Sequence, residues 1–462
     1  KIRMLNAPGP DGAAPLDAFF AELSRSDPQA GADTSAPLLR IAHYGDSQIE
    51  GDRITQFIRS NFHRRFGGGG LGYVPIDEPA SHHAYFRQTS NNWLRYTVFH
   101  SRTRAGTYGL PGVVFRFQRG PVARPAPDTA RPAPGGPPRP ATGRAAEPQE
   151  ADAGIFQWVA SAPPSALAHR RTEPKPLTAS LHLRFPRAAH YGRVRLLWGP
   201  APAPAEVALW ENGQDSATWR GALEPGPGFV LTEIPLPARR QDIRLRFSAA
   251  QSPEVYGLLL DGPGPGGVAV DNFALRGHSG NGLARIDGAR LAAQAQALNT
   301  RLFIFQYGGN IVPYDVKSFK FLEDDVYAML MRYRRLVPGA SLLVIGVGDM
   351  AYKAGERMRS YPSVPRIRDA QRRAAQRAGA AFWDLYSAMG GEGSIIAWVN
   401  NKPYALAAPD YAHFSYAGQK LVAGLFFRAL MNEYKRYGAR QAARAALSPA
   451  PALPTPPPAQ QP

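Results

Sequence analysis

Hydrophobic and polar positions follow two different patterns along this chain. Near the N-terminus and again from about residue 272 to 435, apolar runs of strand length alternate with amphipathic stretches of helical period. This alternation predicts a parallel sheet that is covered by helices on both faces. The predicted strands are Leu38–Tyr44, Asn272–Arg276, Leu302–Gln306, Leu342–Gly346 and Ala381–Asp384, and the predicted helices lie near 48–65, 283–299, 317–336, 366–379 and 415–433.

Between these α/β regions the pattern changes to short runs with a period of two residues, separated by Pro and Gly. Runs such as LRYTVFH, GVVFRFQ, TASLHLRF, RVRLLW and DIRLRFS predict the strands of a β-sandwich. Insertion of one domain into another requires only that its ends lie close together. We therefore predict a discontinuous α/β domain of residues 1–83 and 272–446, interrupted by an inserted, jelly-roll-like β-sandwich of residues 84–271.

Two segments rich in Pro and Ala have too few apolar residues to form a core. One spans residues 122–153, inside the predicted sandwich, and the other is the tail at 447–462. Neither can bury enough apolar surface to offset the conformational entropy that ordering would cost. We predict a disordered loop and a disordered tail.

Composition narrows the function classes. No apolar run reaches the roughly 18 to 20 residues that a membrane-spanning helix needs, so we expect no integral membrane segment. The chain has no cysteine, which excludes disulfides, thiol nucleophiles and Cys-ligated metal sites. It starts with Lys1 rather than Met, and export after removal of a targeting segment is one expectation.

The formal net charge of +18 would favour anionic polymers as partners. The cationic residues, however, are spread over helical faces, as in RIRDAQRRAAQRAG and NEYKRYGARQAARAA. Neither stretch interleaves aromatic residues in the way that a nucleic-acid stacking platform would. We therefore interpret these stretches as solvated helix faces and predict no nucleic-acid partner.

One apolar strand ends in a turn that presents a hydroxyl group. In IAHYGDSQIEGDRIT the first predicted strand runs into Gly-Asp-Ser and then a helix, which brings Ser47 to the sheet edge. A serine nucleophile needs a base and a group that orients the base. The segment PDYAHFSYAGQKL places Asp410 and His413 three residues apart, just before the last predicted helix. We interpret the three as a serine esterase triad; the alternatives are a helix N-cap and a surface turn.

Two more loops follow predicted strands at the edge where open α/β sheets bind ligands. GHSGNGL offers the N–H of Gly280, and YGGN offers the side-chain amide of Asn310. Together with the N–H of Ser47 at a helix N-terminus, these donors predict an oxyanion hole. His278 lies close to Gly280 in sequence but lacks a partnered carboxylate, so we interpret it as a neutral residue of the pocket lining.

The blocks GDSQ, HSGN, YGGN and DYAH occur in the order found in the SGNH or GDSL hydrolase superfamily, which this chain resembles. The resemblance covers the α/β portion and implies a flavodoxin-like, three-layer fold. It assigns catalytic roles to Ser47, Asp410 and His413, and oxyanion-hole roles to Ser47, Gly280 and Asn310. It also implies chemistry that needs neither a cofactor nor a metal ion.

Two positions depart from the superfamily pattern. Gln48 replaces the Leu of GDSL, and Ile311 replaces the Asp or Glu that usually follows the third-block Asn. The second departure leaves open what holds the Asn310 amide. FGGGGLGYVP, FWDLYSAMGG and the interrupting sandwich resemble the branch of bacterial peptidoglycan O-acetylesterases, in which a carbohydrate-binding-like sandwich interrupts the hydrolase domain.

This resemblance implies release of acetate from an O-acetylated envelope polysaccharide by a periplasmic or otherwise exported enzyme. Two alternatives stay open at this point. One is a polysaccharide O-acetyltransferase that uses the same triad, and the other is a non-catalytic glycan-binding protein. Acyl chain, glycan and oligomeric state are not determined by the sequence.

Three further features have less specific patterns. The glycines from Gly67 to Gly72 follow a helix instead of opening one, so we predict a site-rim loop and not a dinucleotide site. His82 and His83 lack further residues at metal-ligand spacing, and we predict a surface loop. Four tryptophans fall in the predicted sandwich and fit its core better than a sugar-stacking surface: they are Trp158, Trp198, Trp210 and Trp219.

Overall fold

The protein is described by a computed structural model that covers residues 4–9, 12–31, 36–100, 107–122, 175–189, 191–211, 214–236, 239–314 and 316–447. Trp158, the predicted loop beyond residue 122 and the predicted tail beyond residue 447 lie outside these residues. The predictions of disorder for these two segments therefore stay predictions.

Strands and helices in the described residues are numbered in chain order. The strands are β1 (Met4–Leu5), β2 (Leu39–Gly45), β3 (Gly70–Val74), β4 (Phe86–Thr89), β5 (Trp93–Thr97), β6 (Val113–Phe117), β7 (Leu177–Ala189), β8 (Arg193–Trp198), β9 (Ala205–Glu211), β10 (Trp219–Leu223), β11 (Val230–Pro235), β12 (Arg240–Ala249), β13 (Val255–Asp261), β14 (Val268–Ala274), β15 (Thr300–Gln306), β16 (Ser341–Ile345), β17 (Ala351–Ala354), β18 (Arg357–Ser360) and β19 (Ala381–Trp383). The helices are α1 (Asp17–Arg25), α2 (Thr55–Phe66), α3 (Gly288–Ala297), α4 (Lys320–Leu336), α5 (Ser363–Arg377), α6 (Leu385–Met389), α7 (Ser394–Val399) and α8 (Tyr416–Leu447).

The predicted parallel sheet is confirmed. Its strand order is β1-β19-β16-β15-β2-β14, and all neighbours are parallel except β1, which pairs antiparallel with β19. Successive side chains of a strand point to opposite faces, and both faces of this sheet are covered. In β15, Leu302 and Ile304 enter one apolar core while Phe303 and Phe305 enter another. This explains why the strand has an unbroken apolar run instead of alternating polar positions.

Helices cover the two faces of the sheet and give the predicted three layers. On one face α1, α2 and α8 pack against each other and contribute Phe20, Phe62 and Phe426 to the core. On the other face α3, α4 and α5 contribute Leu291 and Tyr333, among others. The α/β architecture of an SGNH hydrolase is therefore present, with the carboxyl ends of five parallel strands meeting at one edge.

The prediction of a helix at 48–65 is wrong at the N-terminal end. A short 3-10 turn, Glu50–Asp52, comes first, and α2 begins only at Thr55. Gly51 and Asp52 have positive φ values of 64° and 67°, which break the helical path. A Cβ at Gly51 would lie 2.6 Å from the Ser81 carbonyl oxygen, so the close approach of a neighbouring loop imposes this turn.

The middle of the chain forms two separate antiparallel sheets, as the alternating runs predicted. One has the order β10-β9-β12-β7-β4, and the other has the order β11-β8-β13-β6-β5 with β3 also paired to β13. Aromatic rings join the two sheets, because Trp93 of β5 lies 5.3 Å from Phe247 of β12 between ring centroids. Trp198 is buried and Trp210 and Trp219 are half-buried.

The chain passes from the α/β region into the sandwich, and back again, near the predicted positions but not at them. β3 starts at residue 70 and already pairs with the sandwich strand β13. β14 starts at residue 268 and pairs with β2 of the parallel sheet, so a limit at 271/272 falls inside a strand. The division into 1–83, 84–271 and 272–446 stays a prediction, and these pairings favour earlier changeovers at both ends.

The two regions share one apolar core. Residues of the parallel sheet, such as Tyr44, belong to the same buried cluster as sandwich residues such as Tyr256. The Tyr44 hydroxyl donates to the Leu110 carbonyl oxygen at 2.7 Å, and the Leu110 N–H donates to Gln294 Oε1 of α3 at 2.6 Å. Within the described residues, no helix is long and apolar enough to cross a membrane.

Candidate active site

Residues 46–48, called the nucleophile turn after the predicted role of Ser47, follow strand β2 at the carboxyl edge of the parallel sheet. Gly45 ends the strand, and a Cβ there would lie 2.8 Å from Ile49 Cδ1 and 3.0 Å from the Gln306 carbonyl oxygen. Only glycine fits this crossing without a shift of its neighbours. The tight crossing turns the chain sharply and leaves Ser47 half-exposed at the edge, as the sequence pattern predicted.

The structure brings the three predicted triad residues into one hydrogen-bonded chain. His413 Nε2 lies 2.8 Å from Ser47 Oγ, although the two residues are 366 positions apart. On the other side of the ring, His413 Nδ1 lies 2.7 Å from Asp410 Oδ2. An ionised carboxylate can only accept, so Nδ1–H donates to Asp410 and Nε2 is free to accept the serine proton.

A tight turn holds the carboxylate of this chain. Asp410 Oδ1 accepts hydrogen bonds from the backbone N–H groups of Ala412 and His413, each at 3.0 Å. Burial raises the pKa of the Asp410 carboxyl, but the bonds from the His413 imidazole and the two N–H groups outweigh it and hold that pKa well below its usual range. Asp410 therefore stays ionised and keeps the imidazole in one tautomer.

Asn310 joins the three loops that the sequence predicted to form the site. Its Nδ2 donates to Asp46 Oδ2 at 3.1 Å, in the nucleophile turn, and to the carbonyl oxygen of His278 at 3.2 Å, in the HSGN loop. The open question about the amide is thereby answered, since Asp46 holds it while Ile311 is buried in an apolar cluster. Asp46 is a site residue that the sequence analysis missed.

Gly280 starts the short 3-10 helix Asn281–Arg285 and has a φ of 95°. A Cβ there would lie 3.0 Å from the Tyr307 ring, so both the backbone conformation and the available space require glycine. The Asn310 amide and the HSGN loop are joined, which places the predicted oxyanion donors at one edge of the sheet. Their assignment to an oxyanion hole stays a prediction.

Asp46 is buried, with 2% of its surface exposed. Burial raises the pKa of its carboxyl to about 6. Its Oδ1 accepts from the backbone N–H of Gln48 at 3.0 Å, and its Oδ2 accepts from Asn310. The carboxylate thus holds the turn around Ser47 and ties it to Asn310.

Gln48, the first departure from the superfamily pattern, links the turn that carries Ser47 to the distant loop that carries His413. Its Nε2 donates to the Ala412 carbonyl oxygen at 2.7 Å. Ala412 lies between Asp410 and His413 in the sequence. A leucine at position 48 would have no donor for this carbonyl, so the departure has a structural consequence.

Two other histidines have partners of their own. His278 Nε2 accepts from the Gly282 N–H at 3.0 Å, and burial lowers the pKa of its imidazole to about 3, so the imidazole is neutral. His82 stacks on Tyr85 with ring centroids 4.1 Å apart, and burial lowers its pKa to about 4. Across the described ranges, no group of three or more His, Asp or Glu side chains is arranged to hold a metal ion.

One known protein family and several solved structures that are similar to this chain are ester hydrolases. Residues 247–421 match the GDSL-like lipase/acylhydrolase family, and this segment includes Gly280, Asn310, Asp410 and His413. No curated protein matches the chain.

A solved peptidoglycan O-acetylesterase matches the whole architecture, with 19% sequence identity, a TM-score of 0.64, and coverage of 94% of this chain and 99% of that chain. An acetyl xylan esterase from Geobacillus stearothermophilus matches 35% of this chain and 72% of its own, with 20% identity and a TM-score of 0.26. The family match over residues 247–421, together with the fold, shows that this chain is a carboxylic ester hydrolase with the fold of an SGNH hydrolase, similar over that segment to the GDSL-like lipase/acylhydrolase family.

Proposed function

We propose that this esterase removes O-acetyl groups from a cell-envelope polysaccharide such as peptidoglycan, with Ser47 as the nucleophile, His413 as the base and Asp410 as the orienting carboxylate. The observation that carries the proposal is the unbroken chain from Ser47 Oγ through the imidazole to Asp410, with contacts of 2.8 Å and 2.7 Å. Both distances are within the range for direct proton transfer in this class of mechanism.

In the first half-reaction, Ser47 Oγ attacks the carbonyl carbon of the acetyl ester while its proton moves to His413 Nε2. The resulting imidazolium is stabilised by Asp410. The tetrahedral oxyanion accepts hydrogen bonds from the N–H groups of Ser47 and Gly280 and from Asn310 Nδ2, which gives up one of its present acceptors. His413 then donates its proton to the sugar oxygen, which leaves as an alcohol.

In the second half-reaction, water attacks the acetyl-serine ester. His413 takes a proton from this water, and collapse of the second tetrahedral intermediate returns the proton to Ser47 Oγ and releases acetate. All proton transfers pass through one imidazole nitrogen. No cofactor or metal ion is needed for this sequence of steps.

The polysaccharide substrate is supported by the likeness in fold to the peptidoglycan O-acetylesterase, which extends over the sandwich as well as the α/β region. Such a substrate would place the enzyme in the bacterial envelope. The sandwich is proposed to bind the glycan, and its half-buried Trp210 and Trp219 are the aromatic side chains to examine there.

Replacement of the nucleophile tests the proposal. Ser47→Ala should reduce the rate of acetate release from O-acetylated peptidoglycan by about 10⁶-fold, which is the typical loss of kcat when such a serine is removed. Acetate is measured enzymatically, and covalent labelling by a fluorophosphonate should disappear in parallel. The fold should be unchanged by circular dichroism.

Ser216→Ala is the matched control, because Ser216 is an exposed serine in a sandwich turn. It should keep full activity and labelling. A folded Ser47→Ala variant that still releases acetate would contradict the assignment of the nucleophile. Transfer of acetyl groups to added glycan in preference to water would instead identify a transferase, and a strong preference for long-chain acyl esters would contradict the acetyl substrate.

A further inference from the structure

The loop that bears the proposed base makes most of its hydrogen bonds to segments other than the nucleophile turn. Tyr411 has a positive φ of 56°, and its carbonyl oxygen accepts from the Ala351 N–H at 3.1 Å. The Ala408 N–H donates to the His413 carbonyl oxygen at 2.8 Å, which closes the loop on itself. These bonds hold the loop, but they do not fix its distance from the nucleophile turn.

The Gln48 side chain makes that connection. Apart from the contact between Ser47 and His413, the bond from Gln48 Nε2 to the Ala412 carbonyl oxygen is the hydrogen bond that joins the nucleophile turn to this loop among the described residues. The group of Ala412 that faces Gln48 is a carbonyl oxygen, which can only accept. The NH2 end of the Gln48 side-chain amide must therefore point toward it. Both ends of the bond are one residue away from a group of the proposed triad.

The backbone of Gln48 is fixed as well. Its N–H donates to Asp46 Oδ1 at 3.0 Å, and Asp46 Oδ2 accepts from Asn310. Gln48 also borders a small cavity between the turn and the loops that follow β15 and β16, together with Asp46, Gln306, Tyr307 and Ala412. The amide therefore extends from a rigid turn to a loop that has space beside it.

We propose that Gln48 is a positioning residue that sets the distance between Ser47 and His413 by holding the Ala412 carbonyl. This inference rests on the proposed catalytic roles of Ser47 and His413. Without the amide donor, the loop loses its direct tie to the nucleophile turn, and the imidazole samples positions in which Nε2 no longer meets Oγ. Positioning errors of about 1 Å can cost around a hundredfold in rate, so a single hydrogen bond is sufficient.

Gln48→Met tests this role, because methionine has a similar length and no donor. We expect kcat for an aryl acetate to fall by about ten- to a hundredfold while KM changes by less than about twofold, since the substrate contacts are unchanged. Active sites are counted by fluorophosphonate titration, so that kcat refers to folded enzyme. Gln48→Glu, which places a carboxylate oxygen against the carbonyl, should lower kcat further.

Gln56→Met is the matched control, because Gln56 Nε2 also donates to a backbone carbonyl, that of Arg53, at 3.1 Å but within its own segment. It should keep the wild-type kcat. An unchanged kcat per active site in Gln48→Met would overturn the proposal. A lower yield of folded protein with an unchanged kcat per site would also overturn it, because the role would then be structural only.

A second measurement does not depend on activity. The low-field proton NMR signal of His413 Nδ1–H reports the bond to Asp410 and the position of the ring. It should shift or broaden in Gln48→Met and stay unchanged in Gln56→Met. If the wild-type enzyme failed to hydrolyse esters, the proposed function would be contradicted, and the NMR signal would then be the test of the role of Gln48. An unchanged signal in Gln48→Met would refute that role.

Discussion

At the residue scale, Ser47, Asp410 and His413 could be predicted as reactive because their motifs are local. Asp410 and His413 lie within one short turn, and Ser47 lies in a Gly-Asp-Ser turn directly after a mainly apolar strand. Asp46 could not be predicted in the same way, since its partner Asn310 is 264 positions away. The Asp46 carboxylate holds the Asn310 amide because it is buried beside it, and neither the burial nor the contact can be recognised in the local sequence.

The raised pKa of Asp46 gives a prediction about stability and pH. Its folded-state pKa of about 6 lies above the ordinary aspartate pKa of 3.8, so the folded state binds this proton more tightly. The stabilisation is fully present below pH 3.8 and is lost as pH rises through about 6. In Asp46→Asn this dependence is absent, so the wild type should lose stability relative to the variant between pH 4 and pH 7.

Urea unfolding of both proteins at several pH values measures this difference. The expected change is on the order of 3 kcal/mol, because one pKa unit corresponds to about 1.4 kcal/mol. Asp410 titrates in both proteins and cancels in the comparison. A difference in unfolding free energy that stays constant with pH would contradict the assignment of a raised pKa to Asp46.

At the element scale, the strand pattern was predictable and the strand partners were not. Alternating apolar and polar residues mark sandwich strands such as β7 and β12, and consecutive apolar residues mark β15 and β16. The pairing of β3 with β13, however, joins segments about 185 positions apart, and periodicity contains no information about it. The short α1 and the hairpin of β17 and β18 were missed, since brief segments give weak periodic patterns.

A buried ion network connects strands of the two regions. Arg40 of β2 pairs with Asp261 of β13 and, at 2.7 Å, with Asp271 of β14, while Arg195 of β8 donates to Asp261 at 2.8 Å. Burial raises the pKa of Asp261, but Arg40 and Arg195 outweigh it and hold that pKa below its usual value. Asp261 therefore compensates two guanidinium groups at the junction.

Asp261→Asn removes this compensation. Arg40 is fully buried and would be left with Asp271 alone, and breaking such a buried pair typically costs about 3 to 5 kcal/mol of unfolding free energy. Urea unfolding measures the loss. Glu206→Gln is the control, since Glu206 pairs with Arg220 where the two side chains are 54% and 61% exposed, and it should change stability by less than about 0.5 kcal/mol. Equal effects of the two substitutions would contradict a special role for the junction.

At the scale of the whole molecule, the sandwich and the α/β region are predicted to unfold together. They share an apolar cluster, the Tyr44 to Leu110 hydrogen bond and the Arg40 network, so loss of one region would expose core residues of the other. Hydrogen exchange with mass spectrometry in increasing urea should show peptides from β2 and from β12 losing protection at the same concentration. Earlier loss in β12 would contradict a single cooperative unit.

The placement of the many cationic side chains can also be seen only at the scale of the whole molecule. On α5, Arg373 and Arg377 project to the side and pair with Glu323 of α4 at 2.7 Å and 2.8 Å. The apolar positions of α5, such as Ile367 and Ala374, are buried beneath them. This arrangement agrees with the interpretation of the arginine-rich stretches as solvated helix faces.

The sequence by itself determined the kinds of element and the two architectures, and it predicted the candidate triad, because these depend on residues that are close in the chain or on a regular period. Only the tertiary structure decided which distant groups meet: Asp46 with Asn310, Gln48 with Ala412, and Arg40 with Asp261. The physical reason is that a hydrogen bond or ion pair requires atoms within a few ångströms, and only closure of the folded chain brings residues hundreds of positions apart to that distance.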